Sequence, residues 1–263
     1  MAKNPGFFDC RERSAVRSMA KEDRELFCKS SDGCITYTTD GSFIYAQKDG
    51  ATVRLDLFAG HYYKLRPWNG VPILEIDGLR MHLVRDFRTP LEYSTGVVRG
   101  LKIPPKGDAV VLDTCMGLGY TAIAAAERPG VRTVVTCEVS PAVITLAKWS
   151  PFSDTLWEKG TKIMVMEGSA AELIRQFESS MFHFIIHDPP RMSHAPELYS
   201  REFYDGLYRV CAKGARIFHY AGSVGKSRGR SVGNEVAGRL EAAGFRGIRH
   251  SPRLQGCFAV KSR

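Results

Sequence analysis

The spacing of hydrophobic and polar residues divides the chain. From Cys34 to Val84 the period is two: ITYTT, FIYAQ, TVRLDLF, HYYKLRP, PILEID and LRMHL are separated by DG, KDG, AGH, WNG and DG. Asp-Gly and Asn-Gly between β-rich runs favour tight hairpins because these residues tolerate positive φ. The pattern predicts a small antiparallel β domain over residues 34–85. Ahead of it, Val16, Met19 and Leu26 recur at roughly helical spacing, and Ser30-Ser31-Asp32-Gly33 reads as a stop. Residues 1–33 are therefore expected to form a short helical segment.

After the β domain, RDFRTPLEYSTGVVRGL predicts a linker helix within residues 86–106, with Pro90 at its start and Pro104-Pro105 ending the linker. From 107 to 263, apolar runs and helical patterns alternate. Strands are expected near 109–113, 132–138, 162–166, 182–187, 215–220, 245–249 and 256–261, and helices near 120–128, 140–149, 170–178, 196–212 and 230–243. Such alternation predicts an α/β fold: a mostly parallel, doubly wound, seven-stranded sheet that binds its ligand at the carboxyl ends of the strands.

One stretch organises this half. In VVLDTCMGLGYTA, an apolar strand closes on Asp113, and Gly117 and Gly119 permit a tight turn into the helix from Tyr120. The turn lets a ligand approach the backbone, and the helix N-terminus offers it unpaired N–H groups. Glu138 lies 21 residues after Gly117 at the end of the next strand, where a carboxylate can accept from both ribose hydroxyls. By spacing alone, G-x-G-x-x-A could hold NAD. However, Asp113-Thr114-Cys115-Met116 intervenes between strand and glycines, and an acidic strand end suits a ligand carrying an ammonium group better than two phosphates.

Composition adds limits. Apolar content of 44% and charged content of 25% are those of an ordinary soluble protein. No apolar run reaches the ~20 residues of a membrane span, and MAKNPGFFDCRER lacks a signal-peptide core, so a cytoplasmic protein with no membrane partner is expected. Seven cysteines without a C-x-x-C pair suggest reduced thiols and no metal site. The net charge of +9 is uneven: residues 200–263 carry 13 Lys and Arg against 4 Asp and Glu, while the rest of the chain is balanced. That concentration favours a polyanionic partner.

Four motifs in order, VLDTCMGLG, TCEVSP, MEGSAAEL and IIHDPPR, resemble those of class I S-adenosylmethionine-dependent methyltransferases, whose domain is Rossmann-like. The resemblance implies S-adenosylmethionine as cofactor. Asp113, Gly117 and Gly119 would hold its methionine end with Thr114 beside them, Glu138 its ribose with Val139 alongside, and Gly168-Ser169 its adenine. In this family an Asp more often stands where this chain has Ser169.

Asp188-Pro189-Pro190-Arg191 follows the strand FHFII and falls at the same edge of the sheet. Prolines supply carbonyls with no N–H of their own, so a carboxylate and two rigid acceptors suit a planar amine with two N–H donors. The tetrad resembles the [D/N/S]-P-P-[Y/F/W] motif of methyltransferases acting on exocyclic amines of adenine or cytosine, or on glutamine. Arg191 replaces the aromatic residue that stacks on the base; a guanidinium also stacks, and Tyr199, Phe203 or Tyr204 could supply a ring. His187 and His194 read as structural. The glycine-rich loop after the fifth strand places Lys226, Arg228 and Arg230 on the cofactor side, suited to a nucleic-acid backbone.

The layout of β domain, linker and Rossmann-like half also resembles spermidine synthases, but their G-G-G-D-G turn and acidic polyamine loop are unmatched. LEYSTGVVRG, which contains Tyr93, Asp-Pro-Pro-Arg, LYSREFYDGLYRV and HYAG…GKSRGR resemble the archaeal family related to the enzyme that makes N4,N4-dimethylcytidine in small-subunit ribosomal RNA. The resemblance implies methylation of an exocyclic base amine in RNA, cytosine N4 in ribosomal RNA above all, with Asp188 also beside the cofactor and Tyr93 among the residues that hold the substrate. The competing readings are an aminopropyltransferase or small-molecule methyltransferase, and a non-catalytic RNA-binding protein on the same fold.

Overall fold

The computed structural model describes residues 27–29, 35–48, 50–222 and 232–262. The β region forms two four-stranded antiparallel sheets rather than one. β1 (Phe27–Lys29), β2 (Ile35–Thr39), β3 (Ile44–Lys48) and β4 (Ala51–Arg54) pair in sequence order, as do β5 (Asp56–Ala59), β6 (His61–Trp68), β7 (Val71–Ile76) and β8 (Leu79–Arg80). The expected strand TVRLDLF is divided at Leu55, whose N–H donates to Ile44 O in the first sheet and whose carbonyl accepts from Leu65 N in the second. Phe27–Lys29 corrects the helical expectation for 1–33 at that point, since β1 pairs with β2. The rest of that expectation lies outside the described residues.

Helix α1 (Pro90–Leu101) starts where proline and threonine direct it. Thr89 Oγ1 accepts from Glu92 N, Pro90 occupies the first turn, and Glu92 Oε2 accepts from Arg88 N. Its buried face, including Tyr93, Val97, Val98 and Leu101, lies against the next domain.

That domain is built on a seven-stranded sheet. β9 (Ala109–Asp113), β10 (Val131–Glu138), β11 (Ile163–Glu167), β12 (Phe182–His187) and β13 (Cys211–Tyr220) are parallel. β15 (Gly256–Lys261) inserts antiparallel between β13 and β14 (Phe245–Ser251), giving the order β11-β10-β9-β12-β13-β15-β14. β9 is buried throughout, with Val111 in one hydrophobic core and Val110 and Leu112 in the other. The chain runs outward from β9 through β10 and β11, then returns to its other side with β12. This reversal opens a crevice at the carboxyl ends of β9 and β12.

Helices α2 (Tyr120–Ala126), α3 (Pro141–Trp149), α4 (Ala170–Leu173), α5 (Arg201–Val210) and α6 (Val232–Ala243) cover the sheet. Two are shorter than their patterns predict. α4 stops after one turn, and the Arg209 guanidinium takes the Ile174 and Phe177 carbonyls that a longer helix would have used. The expected helix 196–212 becomes a 3-10 turn, Pro196–Tyr199, followed by α5, because Ser200 caps a new start by accepting from Phe203 N. The second β sheet joins the same core, and Tyr120 Oη donates to Pro72 O at 2.9 Å across the junction. Among the described residues, no helix is long and apolar enough to cross a membrane.

Candidate active site

The ends of β9, β10 and β11 build one half of the crevice. Asp113 is fully buried and accepts from Thr136 Oγ1 at 2.7 Å and Thr121 Oγ1 at 3.2 Å. Burial pushes its carboxyl up to about 7 against the pull of those hydroxyls, and the nearby Asp188 and Glu138 charges add to the rise. The two glycines of the turn differ in their packing. A Cβ on Gly117 would meet open space, and its N–H donates to Glu138 Oε2 at 3.0 Å. Both take positive φ, 55° and 78°, and a Cβ on Gly119 would in addition stand 2.5 Å from Leu156 Cδ1, so packing adds to the backbone's preference for glycine there.

Glu138 accepts from Ser140 N with its other oxygen at 2.9 Å, and burial raises its pKa against these N–H bonds. Val139, beside it, is 64% exposed. Gly168 N donates to Glu138 O at 2.8 Å, which brings Gly168 and Ser169 to the same rim. Thr114 departs from its expected role in one respect: its hydroxyl turns into the sheet, 2.7 Å from His187 Nδ1, and its N–H donates to Ile186 O. Only its backbone position remains in the turn.

The other half of the crevice surrounds Asp188. Burial pushes this carboxyl up to about 7, with the Tyr93 hydroxyl opposing the rise. That hydroxyl, on α1, is buried against the carboxyl. Burial and the Asp188 charge raise its own pKa well above the ordinary tyrosine value. Tyr199 Oη donates to Pro190 O at 2.8 Å, so one of the two proline carbonyls is already engaged, leaving the Pro189 carbonyl and the Asp188 carboxyl as the acceptors. Tyr220, at the end of β13, is a third ring in this neighbourhood. Burial and then the Asp188 charge push its hydroxyl up to about 12, while Arg191, exposed, pulls the other way.

Tyr204 is a correction. It is wholly buried, and its hydroxyl is 2.7 Å from His219 Nε2 in the core beneath the motif, so it cannot hold a substrate. Phe203 is likewise buried, against His187 with ring centroids 5.2 Å apart. His187 Nε2 donates to Leu198 O and therefore accepts from the Thr114 hydroxyl at Nδ1. His219 Nδ1 donates to Tyr220 O. Burial lowers both imidazoles, His219 to about 3, so they are neutral braces under the strand ends. Lys226, Arg228 and Arg230 lie outside the described residues.

Sequence reasoning missed Tyr220, and it placed Cys115 beside the cofactor turn without giving it a role. Both sit within quoted motifs, at the ends of strands that feed the crevice, and that position was the available signal. Cys115 is half-buried and senses Asp113, Glu138 and Asp188, with its thiol pushed well above the ordinary range by burial. Two cavities, of about 420 and 510 Å3, lie between α5 and α6 and between α4 and α5, away from the strand ends. Neither is lined by crevice residues.

Chemically, the first half offers a carboxylate placed for a diol, an exposed apolar side chain beside it and an open glycine backbone. This donor and acceptor set fits an adenosyl group with a charged amino-acid tail. The second half offers the Asp188 carboxyl among tyrosine rings, an acceptor suited to an amine.

No protein-family model matches the chain. It is 41% identical over 225 residues to the uncharacterized protein MJ1233 of Methanocaldococcus jannaschii, covering 85% of this chain and 75% of that one. Over 134 residues it is 34% identical to polyamine aminopropyltransferase 2 of Streptomyces coelicolor, covering 49% of this chain and 24% of that longer protein. Among solved structures, a spermidine synthase in complex with the transition state analogue AdoDATO superposes with a TM-score of 0.64 at 18% identity, covering 92% of this chain and 85% of that one. Spermidine synthase from Thermotoga maritima gives 0.61 at 18% identity, covering 94% and 85%. At that identity the likeness concerns the fold, and it extends across the β domain as well as the large sheet. The chain belongs to the family of the M. jannaschii protein MJ1233, on a class I methyltransferase fold with the layout of spermidine synthases.

Proposed function

We propose that the protein is an S-adenosylmethionine-dependent RNA methyltransferase acting on an exocyclic base amine, cytosine N4 of ribosomal RNA in particular. The observation that carries this reading is the Asp188 carboxyl set among Tyr93, Tyr199 and Tyr220, beside the Gly117–Glu138 half of the crevice. Bound S-adenosylmethionine supplies a methyl group made electrophilic by its sulfonium. Glu138 would accept from the ribose hydroxyls, Val139 would lie along the adenosyl group, and Gly117 would offer the cofactor its backbone.

Asp188 and the Pro189 carbonyl each accept one N–H of the amine. This fixes the plane of the NH2 group and turns the nitrogen lone pair out of the base, toward the cofactor side. The ionised form of Asp188 also favours the positive charge that develops on the nitrogen. The surrounding rings would shield a planar base from water, and that base must be unpaired or flipped to enter.

A second reading, aminopropyl transfer to an amine, is favoured by the identity with the Streptomyces aminopropyltransferase and by the spermidine-synthase layout. One experiment separates the two. The protein is incubated with methyl-labelled S-adenosylmethionine and total RNA, and separately with decarboxylated S-adenosylmethionine and a diamine. Label in N4-methylated cytidine supports the first reading; aminopropylated product with unlabelled RNA overturns it in favour of the second.

A further inference from the structure

One group of exposed basic residues among the described residues lies near the start of α1. Arg80 ends β8, and Arg85 and Arg88 stand on the segment between β8 and α1; all three are exposed, and none forms an ion pair among the described residues. The Arg80 guanidinium lies 5.3 Å from the Trp68 ring. Next to Trp68, Asn69 Nδ2 donates to Arg88 O at 2.7 Å, tying the β6–β7 turn to the start of α1.

On the far side stands Arg253, from the turn between β14 and β15. Its guanidinium lies 4.7 Å from the Phe87 ring and donates to Glu92 Oε1 at 2.7 Å and to Asp86 O at 3.4 Å. Leu254 packs where a Cβ on Gly96 would be 3.1 Å from it, so the hairpin is seated on α1. Arg249, exposed, follows along the same hairpin over Phe258. These contacts make one continuous ridge from the β6–β7 turn to the β14–β15 hairpin.

The ridge borders the crevice. Tyr93, one residue after Glu92, faces Asp188, and Gln255, two residues after Arg253, accepts from Ala221 N next to Tyr220. Five arginines here stand beside Asp86 and Glu92, while Glu75, across the ladder from Arg80, is already paired with Lys64 and Arg66. They do not converge on a point, as a site for one small anion requires. They stand on β8, on the segment leading into α1 and on the β14–β15 hairpin, and so belong to both domains, as contacts to successive phosphates of one strand require.

We infer that this ridge is a phosphate track for an RNA strand whose target base enters at Asp188, which makes the β domain and the α1 leader part of the substrate grip. The inference rests on the base-amine reading and adds a second RNA contact, independent of the 223–231 loop. Arg253 acts as the fixed post, held by Phe87 and Glu92, while Arg85 and Arg88 are free to take phosphates.

The test measures binding of in-vitro-transcribed small-subunit ribosomal RNA across a salt series. It compares the unmodified protein with the double variants Arg85→Glu/Arg88→Glu and Arg85→Lys/Arg88→Lys. S-adenosylmethionine affinity, which the ridge does not touch, serves as the folding control. The Glu pair is expected to lose about tenfold or more in RNA affinity and to flatten the log–log salt slope by about 1.4, from two lost phosphate contacts at about 0.7 each on a single strand, while the Lys pair keeps both. RNA binding with unchanged affinity and slope in the Glu pair overturns the track and leaves the base-amine reading standing. An unmodified protein that neither binds nor methylates RNA overturns both.

Discussion

Replacing Asp188 by asparagine keeps the size of the side chain and one carbonyl oxygen but removes the charge. Burial holds this carboxyl at about 7. The free protein therefore carries the anion in about a tenth of molecules at about pH 6 and in about nine tenths at about pH 8. The protonated acid donates where the proposed geometry needs an acceptor, so kcat/KM should rise about tenfold over that interval. Loss of one preorganised polar contact to the reacting group costs about 100–1000-fold in kcat, or about 2.7–4 kcal/mol. Asp188→Asn should fall by that factor and lose the pH dependence, with cofactor affinity nearly unchanged. The assay is transfer of labelled methyl into RNA across the pH range, with cofactor binding followed by calorimetry. Asp113 is also held at about 7, but it is locked by two threonine hydroxyls. Asp113→Asn should therefore retain the tenfold rise. An Asp188→Asn protein that keeps a tenth of the activity, or loses cofactor affinity in step with turnover, would refute the mechanism.

Glu138→Gln should weaken S-adenosylmethionine binding by about 1.5–3 kcal/mol, the range for hydrogen bonds to a charged group, read as an increase in calorimetric Kd; an unchanged Kd would remove Glu138 from the cofactor site. Gly119→Ala should destabilise the fold by about 1–3 kcal/mol in denaturant titration, because its Cβ meets Leu156. The double variant with Leu156→Ala should relieve that clash, and no relief would mean the positive φ alone is at fault. Tyr199→Phe frees the Pro190 carbonyl and should lower stability by about 1 kcal/mol while reducing kcat more than it changes KM. Asp113 and Asp188 both bind protons more tightly in the folded protein than the ordinary value of 3.8. Their contribution is complete below about pH 4 and lost as pH rises to about 7, by up to about 1.4 kcal/mol per pH unit for each carboxyl. Melting temperature should therefore fall from about pH 5 to about pH 7.5, less steeply in Asp188→Asn; a rise would contradict the sign.

Much of the fold was legible because it is written in local periodicity. The seven strands of the large sheet lie within a few residues of their apolar runs, with β13 four residues longer at its start. Antiparallel hairpins appear where Asp-Gly and Asn-Gly mark turns. Local pattern failed where a distant group intervened: Arg209 captures the carbonyls beyond α4, and Leu55 is shared between two sheets.

For the candidate site, the sequence by itself determined the order of strand ends, the open glycine turn and the acidic residue 21 positions on that reaches Gly117 N–H. These follow from short-range spacing, since a strand end, a turn and a helix start fix one another within a few residues. Tertiary structure alone decided which side chains face the crevice. It sent the Thr114 hydroxyl and Tyr204 into the core, brought Tyr93 from the linker helix and Tyr220 from β13 to Asp188, and packed Leu156 where a Cβ on Gly119 would stand. The direction of a side chain at a strand end depends on what the neighbouring elements bury, and no period within one segment records that.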